Sequence, residues 1–132
     1  VAITTDAQFV KTVSESMITI DPSSVQLASV DLNGDGSEDY RVALYKFQTK
    51  DNRLSGFQVY DSYGNLDFED NSSIWSSNPT NWRWVKIGDA DGNGDNEIYI
   101  LGTEAGTGAY THQIILNSSL PGMEKISDSI LD

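Results

Sequence analysis

The chain has 132 residues, 38% of them hydrophobic and 10% aromatic, which suits one domain with a real core that removes roughly two-thirds of the unfolded surface from water. Its 20 acidic against 8 basic residues give a net charge of -12, which repels nucleic acid and anionic membrane and attracts cations. The absence of cysteine excludes disulfides and thiolate metal sites, and no apolar run approaches the ~20 residues of a membrane helix.

The first element in chain order is helical. In "TTDAQFVKTVSESM", Thr5 is placed as an N-cap with Gln8 three residues on, and Phe9, Val10, Val13 and Met17 share one face, which predicts a helix over 5–17. A strand through "MITI" is the alternative reading of its end. From there the pattern turns to strands. The runs "SVQLASV", "YRVALYKF", "GFQVYD" and "LDFED" are followed by "WRWVKIG", "IYILGT", "HQIILN" and "MEKIS". All are short, rich in Val, Ile, Tyr and Phe, and bounded by Gly, Asn, Ser or Pro. They form two corresponding units, repeat 1 over about 23–71 and repeat 2 over about 81–128. The expected fold class is mostly β: two four-stranded antiparallel meanders within a single domain over 1–132, plus the short N-terminal helix.

Between the first and second strand of each unit lies an acidic loop, "DLNGDGSED" from Asp31 and "DADGNGDNE" from Asp89, 58 positions apart. Counting the first aspartate as position 1, oxygen side chains stand at 1, 3, 5 and 9: Asp31, Asn33, Asp35 and Asp39 in one loop, Asp89, Asp91, Asn93 and Glu97 in the other. Calcium explains the spacing, because it takes about six to eight oxygens at about 2.3–2.6 Å and a tightly curled loop turns alternate side chains toward one point. Gly36 and Gly94 at position 6 allow the sharp turn, and Ser37 and Asp95 at position 7 are placed to offer their backbone carbonyls. Glu38, Asp95 and Asn96 are then expected to face solvent. Magnesium is less apt, since it demands a stiffer octahedron. The expected cofactor is Ca2+, about two per chain. Position 12, the closing glutamate of helical calcium hands, is here Val42 or Ile100 inside a strand, so helix-loop-helix and dockerin-like readings fail.

A DxDxDGxxD loop followed at once by a strand resembles the FG-GAP or VCBS repeat, the blade unit of the integrin alpha-subunit propeller and of many bacterial secreted proteins. The resemblance covers roughly residues 23–128 and implies propeller-blade-like meanders and secretion to an extracellular or periplasmic setting. It also implies that calcium is held by Asp31, Asn33, Asp35, Ser37 and Asp39, and by Asp89, Asp91, Asn93, Asp95 and Glu97. Two departures stand out: Glu97 replaces the family's aspartate at position 9, and neither unit carries a clean Phe-Gly and Gly-Ala-Pro signature. Propellers close with about 4 to 8 blades, so two blades leave sheet edges to be covered by a larger chain, by further copies in a homo-oligomer, or by packing of the two sheets as a sandwich.

Other residues are weighed against plainer roles. Trp75, Trp82 and Trp84 lie close together in "IWSSNPTNWRW", and Trp82 and Trp84 are expected on one strand face, opposite core positions Val85 and Ile87. They serve either as packing or as a ligand-binding platform. His112, the single histidine, has no partner set for zinc or a catalytic triad and reads as a surface or packing residue. "GTEAGTGAY" lacks a phosphate-loop lysine. No catalytic residue is assigned. The expected function is a secreted calcium-binding repeat module, not an enzyme, whose ions stabilise the blade loops and which serves adhesion or interaction with a protein or glycan ligand. The alternatives are a carbohydrate-binding module or lectin, or the accessory domain of a larger extracellular hydrolase.

Overall fold

The computed structural model describes residues 19–48, 53–71, 80–104, 110–118 and 123–131. The helix expected over 5–17 and Trp75 lie outside the described residues. Among the described residues, nine strands follow one another: β1 (Thr19–Ile20), β2 (Gln26–Val30), β3 (Tyr40–Gln48), β4 (Arg53–Asp61), β5 (Leu66–Asp70), β6 (Thr80–Gly88), β7 (Glu97–Glu104), β8 (Thr111–Asn117) and β9 (Glu124–Leu131). The eight expected strands are present in the expected order, and the short strand in "MITI" is the ninth. No α-helix occurs among the described residues.

The strands form two antiparallel sheets. In the first, β3 pairs with β4 and β4 with β5, while β1 and β2 lie one after the other along the remaining edge of β3, with Ile20 opposite Phe47 and Leu27 opposite Ala43. A 3-10 turn at Pro22–Ser24 separates those two edge segments. The second sheet is the plain meander β6-β7-β8-β9. Strand β4 begins three residues before the expected "GFQVYD", because Gly56 lies within it. A Cβ there would come within 2.2 Å of Asn71 Oδ1 and 3.1 Å of the Asp70 carbonyl, so that glycine marks a close approach inside the sheet rather than a strand boundary. Strand β9 runs on to Leu131, past the expected end.

Alternation along the strands divides the apolar side chains between two clusters. Val30, Val42, Leu44, Phe57 and Val59 of the first sheet pack with Trp82, Ile98, Ile100, Ile114 and Leu116 of the second, so the main core lies between the sheets. The other face of the first sheet buries Val25, Leu27, Ala43, Tyr45, Phe47, Leu54 and Tyr60. Strands β3 and β4 are therefore covered on both faces, which is why "VALY" and "FQVY" read as nearly continuous apolar runs. Each such side chain contributes about 1.5–3 kcal/mol when fully buried.

The expectation that Trp82 and Trp84 share a face is wrong. Opposite Gly102 and Leu101 the register slips, Trp82 pairing with Gly102 and Trp84 with Leu101, so Arg83 is an extra residue in a β-bulge. One inserted residue reverses the alternation beyond it. Trp82 is 6% exposed and joins Val85 in the main core, whereas Trp84 is 43% exposed on the other side of the strand. Trp82 meets the Phe57 ring edge-on at 5.2 Å, and its backbone N–H donates to Ser55 Oγ at 3.1 Å, which ties β6 to β4. Ile87, expected in the core, is half-exposed because β6 is an edge strand of its sheet. His112 packs against the Trp82 ring at 4.8 Å and hydrogen-bonds Thr80 through Nδ1 and Asp128 through Nε2, a packing role as expected.

Candidate metal centres in the two interstrand loops

The loop between β2 and β3 and the loop between β6 and β7 repeat the same hydrogen bonds position by position. At position 1, Asp31 accepts from the N–H groups of Gly34 (2.9 Å) and Gly36 (2.8 Å), and Asp89 from those of Gly92 and Gly94, both at 2.8 Å. At position 3, Asn33 Oδ1 and Asp91 Oδ1 each accept the N–H two residues on at 3.1 Å. At position 5, Asp35 and Asn93 do the same for Ser37 and Asp95 at 2.8 Å. Position 9 caps the loop: Asp39 Oδ2 accepts the Leu32 N–H at 2.8 Å, and Glu97 Oε1 the Ala90 N–H at 2.7 Å.

Glycine makes this curl. Gly36 and Gly94 have φ of 88° and 94°, as the turn at position 6 requires. Gly34 and Gly92, at position 4, are also left-handed at 73° and 75°. Position 4 carries no oxygen side chain and so has no place in the ligand spacing. Its signal is nonetheless there, a second glycine two residues before the first in each loop.

The curl gathers the acids. One carboxylate oxygen from each of Asp31, Asp35 and Asp39 lies within 4.8 Å of the others, and likewise for Asp89, Asp91 and Glu97. Asn33 and Asn93 occupy the complementary positions 3 and 5, so each loop has three carboxylates and one amide. Either cluster could hold a metal ion. The Asp89 carboxyl is held below the ordinary aspartate range chiefly by the Gly94 N–H, with the Gly92 N–H adding to it, against the opposing effect of burial, which ranks between the two. Glu97 is 0% exposed, and its Oε2 has no hydrogen-bond partner among the described residues. A fully buried carboxylate oxygen with no donor beside two further carboxylates is costly without a cation.

Two of the three side chains expected in solvent are otherwise engaged. Glu38 receives two bonds from Arg41, Nε at 3.0 Å and Nη2 at 2.9 Å, which hold its carboxyl below the usual range despite partial burial. Asn96 donates from Nδ2 to the Leu32 carbonyl at 2.8 Å, a bond from one loop to the other. Asp95 is exposed as expected.

Both loops border a cleft of about 980 Å³, which Tyr40, Asp61 and Asp67 also line. Asp61, in the β4–β5 turn, accepts the N–H groups of Asn65 and Tyr63 and sits below the ordinary aspartate range, with the Asn65 N–H the largest cause. Asp67 is raised, by burial first and then by the Asp61 charge. The signs oppose. Asp61 contributes stability above its unfolded pKa that is lost as pH falls through its folded value, whereas Asp67 contributes stability at low pH that is lost as pH rises through its raised value. Carboxyl-resolved NMR titration should therefore show the two separating to either side of about 3.9. Coincident titration would mean that the turn does not hold Asp61 as described.

A family model described as the FG-GAP-like repeat matches residues 31–100, from position 1 of the first loop to the strand after the second. The chain belongs to the FG-GAP-like repeat family. FG-GAP repeats form a non-catalytic repeat family of typically extracellular proteins, and no helix among the described residues is long and apolar enough to cross a membrane. No curated protein and no solved structure matches the chain significantly. As an FG-GAP-like repeat the chain is a repeat module, with its paired loops at corresponding positions of its two sheets.

Proposed function

We propose that this FG-GAP-like chain is an exported calcium-binding interaction module, with one ion in each interstrand loop. Asp31, Asn33, Asp35 and Asp39 would hold one ion and Asp89, Asp91, Asn93 and Glu97 the other, with the backbone carbonyls of Ser37 and Asp95 completing the sets. The observation that carries the reading is the Glu97 Oε2, fully buried and without a donor beside Asp89 and Asp91. An all-oxygen donor set of mixed carboxylate and amide groups suits calcium, which tolerates high and irregular coordination, over magnesium. The net charge of -12 acts in the same direction, since each ion removes part of the self-repulsion.

Calorimetric titration of thoroughly chelated protein should give about two calcium ions per chain, with magnesium competing poorly. Asp35→Ala should reduce the count to one. Glu38→Ala should leave it at two, because that carboxylate is committed to Arg41. No calcium bound, or an ion lost in the Glu38 variant, would refute the assignment.

A further inference from the structure

At the end of the sheets away from both loops, a groove of about 400 Å³ opens between β2 and β6, within the range of small-ligand sites. Gln26, Asn81, Lys46, Arg83 and Trp84 line it, and a smaller adjoining cavity shares Gln26, Arg83 and Trp84 and reaches Lys86. Lys46, Arg83 and Lys86 are exposed and none is ion-paired among the described residues, whereas Arg41 is paired with Glu38 and Lys125 with Asp128. In a chain of net charge -12, three cations without a carboxylate partner among the described residues thus lie together here.

We infer that this groove binds a carboxylated sugar, of the uronic or sialic acid class. The exposed Trp84 indole offers an apolar face to the C–H side of a pyranose ring. The Arg83 guanidinium lies over one face of that indole, 5.2 Å from its centroid, which puts a planar two-donor fork close to the carboxylate of a sugar stacked against the other face. The Gln26 and Asn81 amides can each donate to and accept from hydroxyls. A compact anion fits this arrangement better than a nucleic acid strand, because a polyanion leaving the groove would meet the acidic remainder of the surface. The bulge that separates Trp84 from Trp82 is what brings Arg83 and Trp84 together at the rim.

The test is an NMR titration of 15N-labelled, calcium-saturated protein, read at the Trp84 indole N–H and at the Gln26 and Asn81 side-chain amides, the latter two serving for the Trp84 variant, with sodium glucuronate, N-acetylneuraminate, glucose, acetate and oligo-deoxythymidine as separate probes. At least one of the two carboxylated sugars should saturate the shift in the millimolar range. Glucose, which lacks the charge, and acetate, which lacks the ring, should bind at least about tenfold more weakly. Arg83→Gln and Trp84→Ala should each weaken the sugar by about tenfold, and Lys125→Ala, which removes a cation elsewhere, should not. Both groove substitutions lie at exposed positions, and calcium counts on the same samples keep a failure here distinct from a failure of the metal reading. No saturable shift with either acidic sugar would overturn the proposal. So would acetate binding as tightly as the sugar, tighter binding of the oligonucleotide, or indifference to Arg83→Gln.

Discussion

Glu97→Gln should change the sign of its effect with the metal. In chelator the variant is expected to melt above the parent, and in saturating calcium below it. The side chain is 0% exposed, its Oε1 accepts the Ala90 N–H, and its Oε2 has no partner, while Asp89 and Asp91 place two more carboxylates within 4.8 Å. Without a cation, an uncompensated buried charge costs several kcal/mol, and the amide removes the charge while keeping an oxygen for Ala90. With calcium, the parent is stabilised by mass action, about 2.7 kcal/mol at a free concentration 100-fold above Kd, and the variant forfeits most of that gain with a charged ligand. Circular-dichroism melts in EGTA and in calcium read the comparison directly. A loss of the same size in both conditions would mean that Glu97 serves only to cap the loop.

Trp82→Ala should be the most damaging single truncation among the tryptophans of the described strands, and Trp84→Ala two positions on should be nearly silent in stability. Trp82 fills the space between the sheets, with Phe57 edge-on at 5.2 Å on one side and His112 at 4.8 Å on the other. Emptying that volume costs about 3–5 kcal/mol, a large part of the 5–15 or so that a small domain commonly has. Trp84 is 43% exposed, and its loss should lie within about 0.5 kcal/mol. Urea denaturation midpoints of the two variants in calcium check this. Equal losses would contradict the placement of the bulge at Arg83.

The strands are legible in the sequence because each carries its own composition and boundary signals over a few residues, and the loops because ligand spacing is local too. Their hydrogen bonds confirm the curl that the alternating oxygens imply. What local pattern cannot carry is pairing. The Arg83 bulge depends on Gly102, where a Cβ would come within 2.6 Å of the Asn81 carbonyl, nineteen positions from the bulge. Strict alternation therefore puts Trp82 and Trp84 together, and the partner strand separates them. Glu97 is similar: position 9 marks it as a ligand, but its complete burial follows from starting β7 against the core. Asn96 reads as solvent-facing only until its partner, Leu32, arrives from 64 residues away.

Among the described residues, polar ties cross between the sheets at both ends. The Asn96 side chain holds the Leu32 carbonyl where the loops lie, and Ser55 holds the Trp82 N–H at the far end. A single tie would act as a hinge pin about which the sheets could swing apart, with apolar side chains peeling away in succession. Fastened at both ends, the seam resists swinging and must be sheared as a whole, so a pull on one sheet loads the other at once. That makes the two sheets one mechanical unit rather than two beads on a string.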